Sequence, residues 1–174
     1  MASILKVNTI QDATNSNTAL SIDSSGRVTR GVTPAWRLGL SAQSNQTSSS
    51  AVEIPFDTTS GSNCFLSGGV TYSSSTYKIT IPVAGIYMFG STARVDSATA
   101  GNYLNMKIIK NSDTTKLEQY YHLEDDISNV YHSVSLSGIY NCSVSDTLKV
   151  TMTAQSDTSW HFDTATYFWG YLVG

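Results

Sequence analysis

From Thr33 to the C-terminus, apolar and polar residues alternate in short runs separated by turn residues, a pattern that leaves few folds open. Tyr77, Ile79 and Ile81 alternate with Lys78 and Thr80, the period of two that marks a half-buried strand. Pro82-Val83-Ala84-Gly85 reads as the turn ending that run, because proline cannot donate to a strand ladder, and Ile86-Tyr87-Met88-Phe89 opens the next. Leu104, Met106 and Ile108 share one face, with Asn105 and Lys107 on the other. Val134 and Leu136 alternate with Ser133, Ser135 and Ser137; Leu148, Val150 and Met152 alternate with Lys149, Thr151 and Thr153. No window has a convincing helical period, and the best, Thr115 to Leu123, fits a strand equally well. Roughly eight to ten strands joined by Ser/Gly/Asn/Asp turns predict an all-β sandwich.

The first residues read differently. Leu5-Lys6-Val7-Asn8-Thr9-Ile10 and Ala19-Leu20-Ser21-Ile22-Asp23 alternate weakly around a polar loop, and Asp23-Ser24-Ser25-Gly26 reads as a turn before Arg27-Val28-Thr29. A hairpin with about six large apolar residues cannot bury a core alone. Residues 1–32 are therefore expected to form a β-hairpin stem that borrows surface from other chains or a larger partner. Residues 33–174 are expected to form the head.

Composition narrows the chemistry. Of the 174 residues 13% are charged and the net charge is −3, which argues against a nucleic-acid binder and its basic face. No apolar run approaches the ~18 residues of a membrane span. Met1-Ala2-Ser3-Ile4-Leu5-Lys6 lacks a signal peptide's apolar core, so synthesis and folding in a cytosol are expected. Cys64 and Cys142 are too few for a disulfide scaffold and read as semi-buried thiols. His122, His132 and His161 show no zinc-ligand spacing, no Gly-x-Ser-x-Gly elbow is present, and Gly68-Gly69 has no following helix to cradle a phosphate. A carboxylate pair for glycan cleavage would have to come from Glu118, Glu124, Asp125 and Asp126, of which the last three read as an exposed loop. Neither an enzyme nor a cofactor is expected.

Five spaced landmarks resemble the globular head of complement component 1q, close in fold to the tumour necrosis factor ligands. They are Val52-Glu53-Ile54-Pro55-Phe56-Asp57, then Tyr77 to Phe89 with its Pro-x-x-Gly turn, then Met106-Lys107-Ile108-Ile109-Lys110-Asn111. Ser145-Asp146-Thr147-Leu148-Lys149-Val150 follows, with Ser where that family has Gly, and Tyr167-Phe168-Trp169-Gly170-Tyr171-Leu172 closes the chain. The resemblance implies a ten-stranded antiparallel jelly roll that trimerises through flat aromatic faces. Tyr87, Phe89, Tyr167, Trp169 and Tyr171 are the expected interface contacts; the alternative is that these rings only fill the core. Gly170 is expected to make room for a ring or a neighbouring backbone. Some trimeric relatives hold calcium near the apex, for which Glu124, Asp125 and Asp126 are the available carboxylates. The family's ligands do not match here residue by residue, and a solvated acidic loop is the favoured reading.

The stem residues Ile4 to Gln11 and Thr18 to Val28 resemble the N-terminal segment of many tailed-phage fibre and virion-surface proteins, especially of marine phages. This implies a virion-surface protein made in host cytoplasm, a homotrimer attached to other virion proteins through Ile4, Leu5, Val7 and Ile10. First choice is a tail fibre whose head binds a host surface glycan or protein. A capsid decoration protein or head fibre is the alternative, followed by a secreted lectin-like module. The segments 41–51, 98–101, 124–129 and 156–163 are expected at the far end of the head. There Trp160 and His161 are the candidate receptor contacts, or Trp160 folds back to plug the core.

Overall fold

A computed structural model describes residues 7–11, 18–30, 32–61, 63–96, 98, 103–112, 114–123 and 131–174. Among them every regular element is a strand, every strand pairing is antiparallel, and the chain divides into two compact units, Met1–Thr33 and Pro34–Gly174.

In the first unit β1 (Thr9–Gln11), β2 (Thr18–Ile22) and β3 (Val28–Arg30) form a three-stranded sheet with β2 in the middle. The three expected runs thus pair as one sheet rather than a two-stranded hairpin, with β1 on the other edge of β2. Asp23 builds the turn: its carboxylate accepts the Ser25 and Arg27 amides at 2.9 and 3.0 Å and pairs with Arg27 Nε at 2.6 Å. Gly26, at φ +76°, supplies the left-handed step. Within this unit Ile10, Ile22 and Val28 are exposed, since a three-stranded layer buries little by itself.

The second unit stacks two sheets. One contains β4 (Ala35–Gly39), β5 (Ser44–Gln46), β7 (Phe65–Ser67), β10 (Gly85–Asp96), β13 (His132–Cys142), β15 (Trp160–Phe162) and β16 (Tyr167–Leu172). Its order is β5-β15-β10-β16-β4-β7, and β13 covers the whole other edge of β10. The second sheet contains β6 (Val52–Glu53), β8 (Thr71–Ser73), β9 (Lys78–Thr80), β11 (Tyr103–Lys110), β12 (Thr114–His122) and β14 (Thr147–Ala154), in the order β12-β11-β14-β9-β8 with β6 also on β14. The stretch from Thr115 that fits helix or strand is therefore the edge strand β12. Where β12 nears β13, the Tyr140 hydroxyl donates to Lys116 O at 2.6 Å and closes that side.

Strand phase decides what enters the core. The seven-stranded sheet sends in Trp36, Leu38, Tyr87, Phe89, Val95 and Phe168; the six-stranded sheet sends in Leu104, Met106, Ile108, Leu148, Val150 and Met152. This corrects two expected interface contacts. Tyr87 and Phe89 are both 0% exposed, with the Tyr87 hydroxyl donating to Val83 O at 2.8 Å and Phe89 stacked on Tyr140 at 5.5 Å. They lie one position out of phase with the outward residues of β10, and a one-residue step moves a side chain to the opposite face. Gly170 does make room for a ring: a Cβ there would lie 2.3 Å from Trp36 Cζ2 and 2.8 Å from Phe89 Cβ. Ser145, in the place of the expected glycine, adopts φ +68°, and its turn is tied by Asp146 Oδ2 accepting the Ser143 amide at 2.7 Å.

Candidate functional site

Because Phe168 and Gly170 of β16 face inward, Tyr167, Trp169 and Tyr171 face outward, on the open side of the seven-stranded sheet. Strand register puts Ala35, Tyr171, Met88 and Ile139 in one cross-strand row, with Arg37, Trp169, Gly90 and Ser137 in the next. The Tyr171 hydroxyl donates to Met88 Sδ at 3.3 Å. The Trp169 indole lies over Gly90, where an added Cβ would sit 2.8 Å from its Cζ2. Arg37 lays its guanidinium 4.3 Å over the Tyr167 ring. Phe65, Arg37, Tyr167, Trp169 and Tyr171 line a shallow depression of about 470 Å³. Tyr171 is 43% exposed and Ile139 60% exposed, so this apolar row faces outward in the single chain. No carboxylate among the described residues pairs with Arg37, while Arg94 farther up the face pairs with Asp163.

Of the two candidate receptor contacts, Trp160 takes the alternative and folds back into the core. Trp160 is 1% exposed, donates its Nε1 hydrogen to Ser48 O at 3.1 Å and meets Phe162 edge-on at 5.0 Å. It belongs to a strand, β15, that pairs with both β10 and β5. His161, half-buried, places Nε2 3.0 Å from Asp96 Oδ2. The alternation Trp160-His161-Phe162 carries this in-out-in phase, but the polar run before it, 155–159, masks the strand in sequence.

Glu124, Asp125 and Asp126 lie outside the described residues, as do Ile4 and Leu5. Among the described residues no group of three His, Cys, Asp or Glu could hold a metal. Val7 and Ile10 meet Leu20, Ile22 and Val28 around an apolar groove of about 220 Å³ within the first unit. Cys64 and Cys142 are free, buried thiols, and burial raises the pKa of each.

A further cluster joins Glu118, a carboxylate considered above only for glycan cleavage, to Asn105, Lys107 and Tyr120. On the outer face of the six-stranded sheet, register sets Tyr120 opposite Asn105 and Glu118 opposite Lys107. Glu118 accepts from Lys107 Nζ at 2.9 Å and Asn105 Nδ2 at 3.0 Å. Lys107, then the Tyr120 hydroxyl and Asn105, hold the Glu118 carboxyl below its usual range. Tyr103 and Tyr120 meet edge-on at 5.2 Å, and Lys149 pairs with Glu53 at 2.5 Å. The signal was the period of two in Glu118 and Tyr120, hidden because this run also fits a helix. No family model matches the chain, and no curated protein matches it.

Proposed function

We propose that this chain is a homotrimeric phage virion-surface protein, a jelly-roll head on a short β stem, acting as a tail-fibre tip that contacts the host. One observation carries the reading. The outward row Ala35, Tyr171, Met88 and Ile139 leaves an apolar sheet face open in the single chain, and such faces mark association sites. Two further copies cover it in the proposed trimer, with Tyr167, Trp169 and Tyr171 as the aromatic contacts that remain after Tyr87 and Phe89 are assigned to the core. The stem supports the attachment role, because Ile10, Ile22 and Val28 are exposed within their own unit and suit burial against another virion protein.

The burial of Trp160 favours a second reading, capsid decoration, in which the head projects without binding a receptor. Imaging particles that carry a labelled copy of this chain separates the two. Label at the fibre tip supports the first reading and label on the shell supports the second. A chain absent from particles contradicts both. Deleting Met1 to Asp12 is expected to leave a soluble head that no longer enters particles; normal incorporation would refute the attachment role.

A further inference from the structure

We infer that the outer face of the six-stranded sheet is a binding site for a neutral hexopyranose of a surface glycan, with the Tyr120 ring as its platform. The inference rests on the proposed host-contacting role and gives it a location, now that Trp160 is withdrawn into the core.

The Tyr120 side chain is 55% exposed, and Tyr103 meets it edge-on at 5.2 Å, which fixes its tilt. An open phenol ring offers a π face to the apolar C–H side of a sugar. Beside it stand polar groups that are already ordered. Lys107 Nζ and Asn105 Nδ2 both donate to Oε1 of the Glu118 carboxylate, which leaves acceptor capacity on that group for a sugar hydroxyl. Lys107 presents three N–H donors, one of them aimed at Glu118. Asn105 is 3% exposed although it lies on the outward phase of β11, so its amide forms the floor beneath these groups. A few placed polar groups around an apolar platform are what fixes the orientation of a small ligand.

Charge selects the class of sugar. Lys107 beside the Tyr120 ring is matched by Glu118 and Lys149 by Glu53, while Lys78, which has no ion pair among the described residues, lies two strands beyond β11 on the outward phase of β9, so no unpaired cation stands beside the ring to attract an anionic sugar. A protein partner would have to strip water from both ion pairs, a cost that their mutual attraction does not always return. A sugar leaves them largely wet.

Binding of the full-length protein to immobilised mannan, galactan and glucan, with polygalacturonate as the anionic control, tests the inference. Expected is binding to at least one neutral polymer, weakened at least about tenfold by Tyr120→Ala and by Glu118→Gln. Tyr120→Phe, which keeps the ring and loses the hydroxyl, is expected to weaken binding only a few-fold. Unchanged mass by light scattering shows that each variant remains folded and assembled. Failure to bind any neutral polymer, preference for polygalacturonate, or undiminished binding by Tyr120→Ala each overturns the site. Host adsorption that needs Tyr120 when no polymer binds would assign the face to a protein receptor and equally overturn it. The two readings fail separately: a trimer that binds no sugar sinks only this inference, and a monomer that binds sugar sinks only the trimeric reading.

Discussion

On the seven-stranded sheet the outward row reads Ala35, Tyr171, Met88, Ile139; on the six-stranded sheet a comparable row reads Glu118, Lys107, Thr151, Glu53. Both rows cross four strands, and both back onto the same core. They differ in what water gains by touching them. The first row offers rings, a thioether and an aliphatic chain, so covering it releases water at little polar cost. The second holds fixed ion pairs that would have to be desolvated. The contrast teaches that sheet architecture leaves two faces available for association, and side-chain chemistry assigns them different work.

The largest expected effect comes from placing a charge on the first face. Trp169→Glu would leave a carboxylate buried and unpaired in the proposed trimer, a cost of about 3–5 kcal/mol. The assembly is expected to dissociate to single chains at micromolar concentration in sedimentation, whereas Lys107→Glu on the second face leaves the mass unchanged. Equal dissociation by both would erase the comparison.

Next is the inward side of the same strand. Gly170→Ala drives a methyl to 2.3 Å from Trp36 Cζ2, and overpacking of this kind costs about 1–3 kcal/mol. The urea midpoint is expected to fall while the association state holds, which separates core from face within β16. A smaller change follows Lys107→Ala: a partly exposed ion pair contributes up to about 1 kcal/mol, and added salt should abolish the difference from the wild type.

The smallest effect is with pH. Lys107, Tyr120 and Asn105 hold the Glu118 pKa below its unfolded value, so its contribution is fully present above that unfolded pKa, about 4.3, and is lost as pH falls through the folded pKa. Thermal melts of the wild type should therefore lose a small increment in acid that Glu118→Gln does not lose. Identical acid profiles would show that the network adds nothing to stability.

How far the sequence speaks depends on the element. The alternation around Ile79, Leu104 to Ile108 and Leu148 to Met152 placed strands and their inward faces, because burial of one side forces a period of two. Phase was harder where both neighbours are large: in Ile86-Tyr87-Met88-Phe89 the aromatic residues face in and the aliphatic and thioether residues face out, and residue type alone suggested the reverse. Trp160 was ambiguous for a different reason. A three-residue strand after a polar run gives too few repeats to set a period, and its partners, β5 and β10, are distant in sequence. The Tyr120 cluster arises from registry between β11 and β12, which no single strand reveals.

Sedimentation equilibrium of the full-length wild-type protein at micromolar concentration tests the central claim most directly, that the apolar face of the seven-stranded sheet is covered by other copies of this chain. The expected result is a single species of three times the 18.8 kDa chain mass. A stable monomer, with Tyr171 and Ile139 left in water, would contradict it.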